Sequence, residues 1–207
     1  MKYLKKKRIY IFLICLISFI TLTILVLKYD ILGIDKTCYD FIKNNLIIES
    51  ITPFIRLFTN LGGALVLIVL SLIISIFIKD KKLAIAIIIN LIMAFLFNEL
   101  LKYLIQRSRP DMSNWLTDVS GFSFPSGHSM VSMSYYGFLI YLIYLSELRK
   151  KWLLISLLSI IILLVGFSRM YLGVHYISDV LGGFLISLVY LCISITIYNY
   201  FIDSTHS

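Results

Sequence analysis

The sequence predicts an all-α membrane protein, a bundle of six transmembrane helices with an amphipathic interfacial segment between the first and the second. Three observations carry this. The 207 residues are 60% hydrophobic and only 14% charged, with a mean hydropathy of +0.95, far more apolar than a soluble domain. Six apolar stretches follow one another, most of them near the length needed to cross a bilayer. Basic residues cluster at the ends of those stretches, as they do where charge encodes topology. One domain, residues 1–207, accounts for the whole chain.

The first stretch, Ile9 to Leu27, follows five basic residues in Met1 to Arg8. It is too long for the apolar part of a signal peptide and lacks a small-residue cleavage site after it, so a retained helix is expected. Tyr29 to Gly63 mixes Asp35, Lys36, Asp40, Lys43 and Glu49 with Phe41, Ile42, Ile47, Phe54 and Phe58 and is interrupted by Pro53. It reads as an amphipathic connector on the membrane face, without chemistry of its own. Ala64 to Ile78, Leu83 to Leu101, His128 to Leu148, Trp152 to Phe167 and Val180 to Phe201 complete the six spans. Asn90, Asn98 and Glu99 in the third must face protein or water, because polar groups facing lipid are costly.

Eleven of the 19 lysines and arginines lie in Met1–Arg8, Lys79–Lys82 and Arg149–Lys151, on one side of this layout. The positive-inside rule then places both termini in the cytoplasm and the longer polar loops outside. The net charge of +8 is therefore topological and gives no reason to expect a nucleic-acid partner. Cys15, Cys38 and Cys192 form neither a disulfide framework nor a metal pattern. Gly182-Gly183 reads as a notch for close helix packing.

Three polar pieces share the outer face: Lys102 with Arg107 and Arg109-Pro110; Pro125-Ser126-Gly127-His128; and Ser168-Arg169 through His175 to Asp179. Together they supply cations, a glycine turn at a helix start and an imidazole four residues before a carboxylate. Guanidinium forks and helix N-terminal amides suit a phosphate, and an imidazole held by a carboxylate suits attack or proton transfer. Two histidines divide such work, one attacking phosphorus and one protonating the leaving oxygen. His128, His175 and Asp179 also have the composition of a two-histidine, one-carboxylate metal site, but the neighbouring cations would repel a divalent ion, so no metal is expected. A carrier that holds a phosphate and moves it uncleaved, or a phosphotransferase, uses the same residue types.

These pieces resemble the signature of the type 2 phosphatidic acid phosphatase superfamily of integral-membrane lipid phosphatases. That signature is Lys, six residues, Arg-Pro; then Pro-Ser-Gly-His; then Ser-Arg, five residues, His, three residues, Asp, and here all three parts are complete. The resemblance implies His175 as nucleophile, Asp179 as its orienting partner and His128 as general acid and base. It implies Lys102, Arg109 and Arg169 as ligands of the phosphoryl oxygens, with Ser126 and the Gly127 amide completing the cradle. Arg107 falls outside the signature and reads as a head-group or loop contact. The implied substrates are lipid phosphates, namely phosphatidic acid, phosphatidylglycerol phosphate or polyprenyl diphosphates such as undecaprenyl diphosphate, acted on without a cofactor at the extracytoplasmic face. The small six-span layout without an accessory domain favours the polyprenyl diphosphate; oligomeric state is not encoded in these features.

Overall fold

The structure is a computed structural model that describes residues 2–203, with side chains over 6–201. Met1, the side chains of the first basic cluster through Lys5, and residues 204–207 lie outside the described residues. Eight α-helices are present and no strand among the described residues: α1 Lys2–Tyr29, α2 Gly33–Asn45, α3 Thr52–Thr59, α4 Ala64–Phe77, α5 Lys81–Ile105, α6 Gly127–Leu145, α7 Lys151–Tyr171 and α8 Ile177–Asp203.

Four helices, α1, α5, α7 and α8, are long and apolar enough to cross a membrane, and α3 with α4 forms a bent pair, kinked by 55°, that can serve as a fifth crossing. The chain is therefore a multi-pass membrane protein. α6 falls short as an isolated apolar span because its first half carries Ser129, Ser132 and Ser134, all buried. It can afford them because it is the central helix, packed against α5, α7 and α8. Ser187 Oγ donates to the Met130 carbonyl at 2.8 Å, and Asn90 Nδ2 donates to the Ser134 carbonyl at 3.1 Å. Asn90 and Asn98 are thus buried against protein, as their cost in lipid requires.

Local signals explain the ends that matter. Asp80 caps α5 by accepting from the Lys82 and Leu83 amides. α5 runs on to Ile105, past the apolar stretch, and so carries Lys102 in its last turn. Gln106 then adopts a left-handed conformation (φ 52°) that ends the helix. Ser126 caps α6. Pro53 lies in the first turn of α3, where its missing N–H costs nothing, so it starts a helix as well as separating α2 from α3.

The glycine pair is a packing notch. A Cβ on Gly183 would lie 3.0 Å from the Ser126 carbonyl oxygen and 3.0 Å from Ser129 Cβ, and one on Gly182 would lie 2.5 Å from the Phe124 ring. Phe124 is fully buried and stacks on Phe19 of α1, with ring centroids 5.8 Å apart. Gly182→Ala is expected to destabilise the protein by about 1–3 kcal/mol through overpacking, seen as a lower thermal midpoint in detergent. Gly33→Ala, where an added Cβ meets nothing within 4 Å, should leave that midpoint within about 0.5 kcal/mol of wild type.

Candidate active site

The C-terminal ends of α5 and α7 and the N-terminal ends of α6 and α8 meet on one face of the bundle. There they enclose a cavity of about 300 Å3 whose lining includes Lys102, Arg109, Arg169, Gly127, His128 and His175. Six of the eight residues expected at the site therefore line one space. Asp179 stands behind His175, and Ser126 is turned away: its Oγ accepts from the Ser129 hydroxyl at 3.0 Å and caps α6.

Asp179 reaches His175 by a route that i,i+4 spacing along one helix does not describe. α8 begins at Ile177, so His175 precedes it and Asp179 is its third residue. From there Asp179 Oδ2 accepts from the Tyr176 amide at 2.8 Å, the reach-back of a capping box, and this puts the same oxygen 3.3 Å from His175 Nδ1. Ser123 Oγ donates to that oxygen at 2.6 Å and lies 3.2 Å from Nδ1.

The tautomer of His175 follows from its partners. Arg109 Nη1 lies 3.1 Å from Nε2, and a guanidinium can only donate. Nε2 must therefore present its lone pair, and Nδ1 carries the proton toward Asp179 and Ser123. The same arginine is fixed by donating to the carbonyls of Gly121, Ser120 and Val174. Burial outweighs the Asp179 carboxylate and pushes the His175 imidazole down to about 3.

The other cations are held more loosely. Arg169 is buried; its Nη1 donates to Thr59 Oγ1 at 3.1 Å, and its Nε has no hydrogen-bond partner. Ser168 Oγ donates to the same Thr59 hydroxyl at 2.9 Å. Lys102 Nζ lies 3.9 Å from a carboxylate oxygen of Glu99, which also lines the cavity. Gly127 lets the start of α6 approach these groups, since a Cβ there would lie 2.9 Å from Asn98 Oδ1 and 3.5 Å from Lys102 Nζ. The Nε of Arg169 is a buried donor left with unused capacity beside this cavity.

Several residues around the site lie outside the sequence expectation. Arg107 is buried and donates from Nη1 to Asp179 Oδ1 at 2.6 Å and from Nη2 to Asp35 Oδ2 at 2.7 Å. Asp35, fully buried, also accepts from the Ser178 amide at 3.0 Å and the Ser178 hydroxyl at 2.8 Å. Segment 29–63 is therefore more than a connector: Asp35 of α2 ties down the start of α8, and Thr59 of α3 orients Ser168 and Arg169. Asp35 is indistinguishable by sequence from Asp40 in the same amphipathic segment. Nothing in the sequence distinguished Ser123 or Thr59 from ordinary loop and helix-end polar residues.

Fold and site together define a membrane protein with a cationic, imidazole-bearing cavity at one end of a helical bundle. The family model described as PAP2 superfamily matches residues 60–203. The chain belongs to the PAP2 superfamily. It is 44% identical over 99 residues to phosphatidylglycerophosphatase B of Bacillus subtilis (strain 168), a match covering 45% of this chain and 47% of that protein, so it spans about half the relative's length. Over 189 residues it is 27% identical to the undecaprenyl-diphosphatase of Sulfolobus acidocaldarius, covering 86% of this chain and 87% of that one. Among solved structures it resembles a transmembrane PAP2 type phosphatidylglycerolphosphate phosphatase from Bacillus subtilis, with a TM-score of 0.83 and 28% identity over 92% of this chain and 97% of that one. Aquifex aeolicus LpxE matches with a TM-score of 0.61 and 27% identity, over 75% and 92%.

A folded-state value of about 3 against about 6.5 in the unfolded chain means that, between those limits, the unfolded chain binds the extra proton. The contribution of His175 to stability is complete above about pH 6.5 and is lost as pH falls from there toward 3. Imidazole 15N shifts of His175 should accordingly report a neutral ring protonated on Nδ1 throughout pH 5–8. A cationic ring, or one protonated on Nε2, would contradict the assignment.

Proposed function

We propose that this protein is a metal-independent phosphatase of lipid phosphates or diphosphates that works through a phosphohistidine. The observation that carries the reading is the His175 ring, held by Asp179 on Nδ1 and presenting the Nε2 lone pair to a cavity walled by Lys102, Arg109, Arg169 and His128. An arriving phosphoryl group takes over the Arg109 donor that now faces Nε2. Nε2 then attacks phosphorus as the bond to the leaving oxygen breaks, and His128, which takes up a proton once the phosphoryl anion offsets the surrounding cations, gives that proton to the leaving oxygen. The three cations stabilise charge on the equatorial oxygens, a task for which a metal ion is not needed. In the second step neutral His128 takes a proton from water, the water oxygen attacks phosphorus, the P–N bond breaks and phosphate leaves. Asp179 remains a carboxylate throughout, stabilising the charge that forms on His175. Ser126 contributes by capping α6, and the Gly127 amide, at the first helical position, is aimed at the anion.

The layout we propose has six crossings, with α6 as a full span and α3–α4 as one bent span. Both termini then lie in the cytoplasm and the site opens on the extracytoplasmic face. This is supported by the helix ends that share the cavity, which make successive spans antiparallel, and by the basic clusters at the opposite ends. The exposed apolar side chains of Phe41, Phe54 and Leu57 support an interfacial position for α2 and α3. The relatives' names point to phosphatidylglycerol phosphate and undecaprenyl diphosphate as substrates to compare, with phosphatidic acid as the third.

Purified protein given these three lipids in the presence of chelator should release inorganic phosphate from at least one. Bound phosphate without release would instead favour a carrier, and transfer to an added alcohol a phosphotransferase. His175→Ala should reduce release by about 10⁴-fold or more with the fold retained; unchanged turnover would rule out the nucleophile assignment. His128→Ala should cost about 10²–10⁴-fold on a lipid phosphate and much less on an aryl phosphate whose leaving group needs no proton. Equal losses on the two would remove the general acid from His128.

A further inference from the structure

We propose that Arg107 and Asp35 are a positioning pair for the nucleophile, and that Asp35 acts by limiting how Arg107 holds Asp179. The proposal rests on the phosphohistidine reading and goes beyond it, because neither residue belongs to the three motifs or lines the cavity.

The geometry divides one guanidinium between two carboxylates. Nη1 donates to Asp179 Oδ1 and Nη2 to Asp35 Oδ2, while the Asp30 carbonyl also accepts from Nη2. The guanidinium lies over the Tyr176 ring, 4.7 Å from its centroid, which restrains its plane. Ser178 closes the loop: its hydroxyl lies 2.7 Å from Arg107 Nη1 and 2.8 Å from Asp35 Oδ2. Both carboxylates sit at the third position of a helix, and each accepts from the backbone amide just before that helix, Leu32 for Asp35 and Tyr176 for Asp179. Arg107 therefore joins the N-terminus of α2 to the N-terminus of α8 through two capping carboxylates.

The consequence for His175 lies in what Arg107 leaves alone. An arginine facing a lone buried carboxylate takes both oxygens in its fork. Here the second arm is committed to Asp35, so Asp179 Oδ2 stays available to His175 Nδ1, Ser123 and the Tyr176 amide. Take the Asp35 charge away and only the neutral Asp30 carbonyl still holds Nη2, so the fork can close on both Asp179 oxygens, drawing Oδ2 off the imidazole. A lysine at position 107 supplies charge but no fork, so it cannot serve both carboxylates at once.

Asp35→Asn and Arg107→Lys are expected to lower kcat by about 10- to 100-fold, the usual cost of losing a partner that orients a functional histidine, with KM little changed. The Nδ1–H signal of His175, read without substrate, should move upfield as its bond to Asp179 weakens, while Arg109 keeps Nε2 unprotonated. A purely structural clasp between α2 and α8 predicts something different: a lower thermal midpoint with kcat and the Nδ1–H signal as in wild type, and that result overturns the proposal. Should Asp35→Asn not yield folded protein, Ser178→Ala removes one hydroxyl and no charge. It should shift the Nδ1–H signal in the same direction and lower kcat by about 2- to 10-fold, the scale of a single hydrogen bond. Wild-type protein that releases no phosphate would defeat the proposed function, and the His175 spectrum would still decide the positioning role.

Discussion

A fully buried carboxylate, Asp179, is the constraint around which the site is arranged. A charge taken out of water must be paired and hydrogen-bonded or it neutralises. Asp179 meets that demand with four donors from two connections: Arg107 and Ser123 near the two ends of the α5–α6 loop, and His175 Nδ1 and the Tyr176 amide just before α8. Satisfying one carboxylate thus fixes the mutual position of two connections that are far apart in sequence. The orientation of His175 is a by-product of that requirement.

The neighbouring cations have the opposite arrangement. Arg109 is anchored by three carbonyls, whereas Arg169 keeps an unpartnered Nε and Lys102 has only a long contact to Glu99. Behind His175 both buried carboxylates are paired with Arg107 and hydrogen-bonded; in front of it the cations Lys102, Arg109 and Arg169 outnumber the carboxylates of Glu99 and Asp118. The boundary runs through the imidazole ring, with Nδ1 on the paired side and Nε2 on the side open to an anion. Such a gradient is the arrangement that suits an anion, with the ring's lone pair on the side where cations are in excess.

Much of this was legible in the chain. Apolar lengths revealed the long helices, because a span must cover the hydrocarbon thickness whatever it packs against. Spaced Lys, Arg, His and Asp residues identified the lining, since few other reasons put them between apolar stretches. Helix ends were less legible: α5 and α7 continue beyond their apolar stretches because Lys102 and Arg169 point into a polar cavity and not into lipid. The role of the segment before Gly63 was not legible at all, since Asp35 and Asp40 are alike in sequence and only one of them is buried.

Arg107 and Arg109 show where the division falls. They are two residues apart and identical in chemistry, and the sequence by itself determined that both would stand near a cationic site at the end of an apolar span. Only the tertiary structure decided that Arg107 turns inward between Asp35 and Asp179 while Arg109 turns to the cavity and His175. The reason is physical: after the left-handed Gln106 ends α5 the chain has no helical or strand period, so side-chain direction is set by the partners it meets. The partners of Arg107 arrive from α2 and α8, 72 residues away on either side, and those of Arg109 from its own loop and from the turn before α8.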